Sequence, residues 1–280
     1  GFHARASDTL VAVPGCQLLT PALRAVFPAL EALIPLACSR KGEVAFTVTD
    51  SLGGPDVLVT TDKELTSQLR VELAGFAQQH QVARLCWNDD VIVTINPPVQ
   101  KMGVANVVPP SGAFLQATVD GEAALLAAVT EICGKADKIV DLFSGVGTFA
   151  LPLAKTATIH AVEGEVEMIN SLDKAWRGAQ GLKLVTNEVR DLFRRPLEPD
   201  ELEKYDAAVI DPPRAGAEAQ IQTLAASKIG KIALVSCNPV TFARDAVCLI
   251  KGGYSLDWAQ VVDQFRWSAH VEVVGQFTRV

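Results

Sequence analysis

The sequence lacks what would place it in a membrane, on a secretory route or around a zinc ion. Its most apolar N-terminal stretch, Ala22 to Cys38, is interrupted by Arg24, Pro28, Glu31 and Pro35, whereas a spanning helix needs about 20 predominantly apolar residues. Nothing resembles a secretory signal. The six cysteines (16, 38, 86, 133, 237 and 248) include no Cys-x-x-Cys pair, and His3, His160 and His270 are not at metal-ligand spacing. The cysteines therefore read as free thiols, and no zinc site is expected. Internal repeats and low-complexity tracts are missing. So is any basic excess: residues 1–105 carry 8 basic and 10 acidic side chains, the remainder 17 and 22, for a net charge of −7. Neither half is a basic platform, which argues against tight non-specific nucleic-acid binding but leaves room for a local basic groove.

What is present is globular. Hydrophobic residues make up 49% and charged residues 20% of 280, enough for one large domain or two ordinary ones. The first residue is Gly1, not Met, so the chain reads as a processed or excised piece.

Two rhythms follow one another. Up to Val108, helical spacing over Leu18 to Leu36 and Leu65 to His80 is mixed with strand-like runs at Val44–Thr49, Val57–Thr60, Val82–Trp87 and Val91–Ile95. This order predicts a smaller α+β domain (1–108) with an antiparallel sheet. The prolines at 97–98 and 109–110 mark the boundary. Beyond it (109–280), short apolar strands alternate with helices: strands at Lys138–Phe143, Thr158–Glu163, Ala207–Asp211, Ile232–Cys237 and Val271–Phe277, helices at Gly121–Cys133, Thr148–Ala154, Val166–Ala179 and Val240–Ile250. Continuous apolar strands separated by helices imply a mostly parallel sheet covered on both faces, an α/β Rossmann-like domain.

Four segments carry chemistry. The loop Asp141 to Thr148 follows a buried strand and contains Gly145 and Gly147. Glycines there let backbone approach a ligand. The spacing is not GxGxxG and no Lys-Ser/Thr follows, so P-loop and full dinucleotide fingerprints both fail. The next strand ends in Glu163, placed to accept hydrogen bonds from a ribose diol; otherwise the loop is a tight turn and Glu163 a surface acid. Asp211-Pro212-Pro213-Arg214 ends a strand at the sheet edge where ligands bind, with two prolines pre-shaping the turn; the alternative is a strand terminator. Cys237 caps a strand and faces the start of a helix, where a thiolate gains stabilisation. The other cysteines read as core residues. Glu272 lies in an apolar run, either paired with a cation or held at raised pKa as a base.

In combination, these segments resemble the bacterial S-adenosylmethionine-dependent RNA 5-methyluridine methyltransferases. The matches are Phe114–Gln116, Asp141–Phe149, Asp211–Gly216, Ser236–Asp245 and His270–Glu272, in the family's order. The stretch from Gly1 to Arg5 and from Pro14 to Cys16 looks like the segment following the family's cluster-binding loop. The resemblance implies S-adenosylmethionine as cofactor, with Gln116, Phe143, Thr148, Glu163, Asp191 and Asp211 lining its pocket or the border with the base. It implies Cys237 as nucleophile and Glu272 as general base. It also implies an RNA substrate (rRNA or tRNA), action in the cytoplasm, and neither a membrane nor an obligate protein partner. Thr148 stands where many members have Asn. The N-terminal TRAM domain and three cluster cysteines have no counterpart. Cys16 matches the fourth iron–sulfur ligand, but a [4Fe–4S] cluster takes four thiolates, so Cys16 is an orphan and no cluster is expected in this chain.

Two rivals bear comparison. Asp211-Pro-Pro-Arg214 resembles the acidic Pro-Pro motif of exocyclic-amino methyltransferases, although those usually have an aromatic residue at the position of Arg214 and need no thiol. An RNA-binding or RNA-folding module with incidental catalysis is the second, and S-adenosylmethionine binding would separate it from an enzyme.

Overall fold

The computed structural model describes residues 2–4, 7–13, 15–39, 42–266 and 268–280. Gly1, Arg5 and Pro14, part of the N-terminal match, lie outside the described residues. The chain forms two compact units, Gly1–Pro98 and Val99–Val280.

In the first unit, the short strands β1 (Phe2–His3) and β2 (Leu10–Val11) precede helices α1 (Pro21–Ala25) and α2 (Phe27–Ala37). The stretch expected as one helix is thus two. The Thr20 hydroxyl accepts the Leu23 N–H to start α1, and Pro28, with no N–H to donate backwards, interrupts the ladder at Val26. Then come β3 (Val44–Thr49), β4 (Asp56–Thr61), α3 (Ser67–Gln79), β5 (Arg84–Trp87) and β6 (Asp90–Thr94). The four strands pair in chain order. The sheet is mixed rather than antiparallel: α3 carries the chain back to the same end, so β4 and β5 run parallel. Asp56 and Arg84 are partners across that pair, joined by hydrogen bonds of 2.8 and 2.6 Å with both side chains 9% exposed.

The second unit opens with a hairpin, β7 (Gln100–Met102) and β8 (Ala105–Val107). Met102, Ala105 and Val107 pack into this unit's own core, which draws the boundary upstream of the expected Val108. The unit continues with α4 (Val119–Cys133), β9 (Lys138–Leu142), α5 (Ala150–Leu153), β10 (Thr158–Glu163), α6 (Val166–Gly178) and β11 (Val185–Val189). After these come α7 (Pro199–Leu202), β12 (Ala207–Ile210), α8 (Glu218–Ala226) and β13 (Lys231–Ser236). Helix α9 (Pro239–Lys251) and strands β14 (Tyr254–Val262) and β15 (Glu272–Arg279) complete it.

Seven strands form one sheet in the order β11-β10-β9-β12-β13-β15-β14. The first five are parallel; β15 runs antiparallel to both of its neighbours, β13 and β14. Alternate residues feed two apolar cores, one on each face: Ile139 and Val209 on one side, Val140 and Ala208 on the other. This is the α/β architecture with a mostly parallel sheet that the alternating rhythm predicts. Strands β11 and β14 escape that pattern because they are the sheet's edges and carry exposed polar residues. The helix expected from Thr148 is a single turn beginning at Ala150, so the glycine loop extends through Phe149.

Candidate active site

Strand order reverses between β9 and β12: β10 and β11 lie to one side, β12 and β13 to the other. Such a switch point opens a crevice beyond the carboxyl ends of the strands. The loop after β9 turns there with positive φ at Phe143 (60°), Gly145 (54°) and Gly147 (96°). At Gly147 a side chain is excluded twice over, since a Cβ would stand 2.9 Å from Leu151 and 3.0 Å from Leu172. The loop is tied to the end of β10: Gly145 N–H donates to Glu163 Oε2 at 3.0 Å, and the Gly164 and Glu165 amides donate to Oε1 at 2.7 and 3.1 Å. Phe143 leans on Phe193 with ring centroids 5.2 Å apart. Beside it, Asp191 Oδ1 accepts from the Phe193 and Arg194 amides at 3.0 and 3.3 Å. Glu163, Phe143 and Asp191 thus stand on the β9–β11 side of the crevice, and Thr148 belongs to the same loop as Phe143.

On the other side, Asp211 follows β12 and its N–H donates to the Leu142 carbonyl at 3.2 Å. Ser236 pairs with Val273, so the antiparallel register carries Cys237 to the position opposite Glu272. Only because β15 runs against β13 does its first residue, Glu272, reach the edge where the parallel strands end. Arg214 donates to His270 Nδ1 at 3.1 Å. A guanidinium can only donate, so this His270 nitrogen is the acceptor. That contact joins the Asp-Pro-Pro-Arg turn to the His-Val-Glu segment. Asn238 Nδ2 donates to the Arg214 carbonyl at 3.3 Å while Asn238 Oδ1 accepts the Val240 amide at 3.0 Å, capping α9.

The crevice is crowded with carboxyl groups. Asp141 is fully buried, and neither of its oxygens makes a hydrogen bond of ordinary geometry, with the Ala150 amide offsetting part of the cost. Burial, then the neighbouring Asp211 and Glu163, hold its carboxyl well above the usual range. Burial and Glu272 push Asp211 to about 7. Burial also raises Glu272, which is 7% exposed. The thiol of Cys237 is raised too, first by burial and then by Glu272 and Asp211, with Arg214 opposing. This corrects the expectation that the start of α9 would stabilise a thiolate: the two carboxylates and the loss of water outweigh it.

A chain of amides, unseen in the sequence, closes the site. Gln116 Nε2 donates to Asp211 Oδ2 at 3.4 Å, and Gln116 Oε1 accepts from Gln264 Nε2 at 2.7 Å. Gln264 sits in an irregular link before β15 with no periodic or motif signal, so only its contacts reveal it. A cavity of about 460 Å³, lined by Phe193, Gly216, Glu218, Gln222 and Arg244 among others, adjoins the Phe193 side and includes neither Cys237 nor Glu272.

A family model described as tRNA (uracil-5-)-methyltransferase matches residues 59–279. The chain belongs to that family. It is 42% identical over 274 residues to an uncharacterized RNA methyltransferase of Mesorhizobium japonicum, covering 98% of this chain and 66% of the relative. The 23S rRNA (uracil(1939)-C(5))-methyltransferase of Shewanella woodyi is 32% identical over 292 residues, covering 99% of this chain and 64% of that one. The chain therefore spans somewhat under two thirds of both relatives. In fold, it resembles the Pyrococcus abyssi tRNA (uracil-54, C5)-methyltransferase solved with S-adenosyl-L-homocysteine: TM-score 0.75 at 21% identity, over 96% of this chain and 69% of that one.

For a member of the tRNA (uracil-5-)-methyltransferase family, the sequence-derived residues divide cleanly. Gln116, Phe143, Thr148, Glu163, Asp191, Asp211, Cys237 and Glu272 all lie in the Val99–Val280 unit. Cys16 lies apart in the first unit, buried at 5% exposure. Among the described residues no group of three or more His, Cys, Asp or Glu could hold a metal ion, and no helix is long and apolar enough to cross a membrane.

Proposed function

We propose that the protein transfers a methyl group from S-adenosylmethionine to C5 of a uridine in rRNA or tRNA, acting in the cytoplasm. The observation that carries this reading is the meeting of Cys237 and Glu272 across the β13–β15 register at the switch-point crevice. The crevice suits the cofactor: Asp211 and Glu163 both oppose a charge on the buried Asp141, and a cationic ligand relieves that repulsion. Glu163 would hold the ribose diol, with a lone pair of Oε2 still free after the Gly145 bond. Phe143, Thr148 and Asp191 would border the rest, and Gln116 and Asp211 the boundary with the base.

Uracil C5 is a weak nucleophile. Cys237 Sγ, once deprotonated, bonds to C6, and the C5–C6 π electrons move onto the C4 carbonyl as an enolate. Hydrogen-bond donors at the uracil oxygens stabilise that charge. S-adenosylmethionine, when bound, would supply an electrophilic methyl group: the enolate electrons form the C5–methyl bond, and the S–methyl electrons stay on the departing thioether. Glu272 then takes the C5 proton; the C–H electrons restore the C5–C6 double bond and the Cys237 thiolate departs. The uridine must leave its stack to reach Cys237.

Cys237→Ala should abolish 5-methyluridine formation, with at least about a thousandfold loss, while S-adenosylmethionine affinity by calorimetry stays nearly unchanged. A variant that methylates RNA normally would refute the covalent route. Digestion of the product to nucleosides tests the acceptor: methylated adenine or guanine in place of 5-methyluridine would favour exocyclic-amino chemistry. A thiol set against a carboxyl at the site favours C5, because amino methylation needs no thiol.

A further inference from the structure

Gln264 heads a hydrogen-bond chain that ends at Asp211. It begins at a group that cannot be reversed: the Thr118 backbone N–H, at the N-cap of α4, can only donate, so the Gln264 atom 3.1 Å away is the carbonyl Oε1. The other end of that amide must donate, and it meets Gln116 at 2.7 Å, so Gln116 presents Oε1 there. Gln116 Nε2 is left facing Asp211 Oδ2 at 3.4 Å. Each amide is oriented by the one before it. The site is also shaped for this side chain. Gln264 is 7% exposed, and a Cβ at residue 121 would stand 2.5 Å from its Cγ and 2.6 Å from its Cδ, so Gly121 leaves the space it fills.

We propose that Gln264 is a positioning residue of the active site, locking Gln116 with its N–H groups toward Asp211 and the base. Resting on the uridine reading above, this makes the Gln116 position a donor only. It fits a pyrimidine with a carbonyl oxygen and opposes one with an exocyclic amino group, since two facing donors cannot bond. Gln264 touches neither the nucleophile nor the base; it acts through Gln116.

Gln264→Glu tests the polarity. A carboxylate can still accept the Thr118 N–H but can only accept from Gln116, so Gln116 must turn its oxygen toward Asp211. The expected result is a loss of kcat/KM on uridine RNA of roughly tenfold or more, the scale of one buried group left wrongly paired, with S-adenosylmethionine affinity changed less than about threefold. The same substitution in a Gln116→Ala background should cause no further loss, because the two act as one unit. Gln264→Met, similar in length and uncharged, repeats the cycle if the glutamate variant folds poorly. Equal losses in both backgrounds, or a fall in cofactor affinity matching the fall in kcat/KM, would overturn the relay. A wild-type protein that makes no 5-methyluridine would instead overturn the activity on which it rests.

Discussion

Asp211 gathers the electrostatic tension of the site into one side chain. Its carboxyl titrates at about 7 in the folded protein because burial and Glu272 both oppose its charge; in the unfolded chain it titrates at about 4. A group whose pKa rises on folding stabilises the fold fully below its unfolded pKa, and that contribution fades as pH climbs to the folded value. Wild-type stability should therefore decline between about pH 4 and pH 7 from this source. Asp211→Asn, uncharged and of the same shape, removes the dependence. Urea denaturation should show the variant roughly 1–4 kcal/mol more stable than wild type at pH 8 and nearly equal at pH 4. A difference that grows toward acid would mean Asp211 is held ionised. The same crowding raises the Cys237 thiol: burial, Glu272 and Asp211 all disfavour a charge on its sulfur.

Among the elements, β15 does most to assemble the site. A parallel strand at that place would start at the far edge of the sheet and leave Glu272 a strand's length from Cys237; the antiparallel run after β14 reverses this. In the first unit, the parallel β4–β5 pair is fastened by Asp56 and Arg84. Removing Asp56 takes from the buried Arg84 the carboxylate that bonds it twice. Asp56→Ala should cost about 3–5 kcal/mol, read as a lowered denaturation midpoint for Gly1–Pro98, with Asp56→Glu recovering part of it. A loss below about 0.5 kcal/mol would show that water already reaches Arg84.

At the scale of the whole molecule, the two units each have their own core, and every candidate catalytic and cofactor residue lies in one of them. The fragment Val99–Val280 should accordingly unfold in one cooperative transition and bind S-adenosylmethionine, as calorimetry would show. The fragment must keep Gln100–Val107, because Met102, Ala105 and Val107 are core; one beginning after Val108 should be markedly less stable. Equal stability of the two fragments would place the hairpin outside the core.

The sequence determined the chemistry-bearing residues and the alternation of strands and helices, because both are local properties. Cys237 and Glu272 stand at strand ends that apolar runs make visible, and Gly145 and Gly147 punctuate a loop for steric reasons. The edge strands, the split of the first helical stretch and the parallel β4–β5 pair were not legible in periodicity. Each depends on which neighbour a segment meets or on where one missing N–H falls. Tertiary structure alone decided the raised Cys237 thiol and the place of Gln264. A pKa sums charges from β12, β13 and β15 with the water that packing removes, and an amide in an irregular link takes its role from partners 146 and 148 residues away.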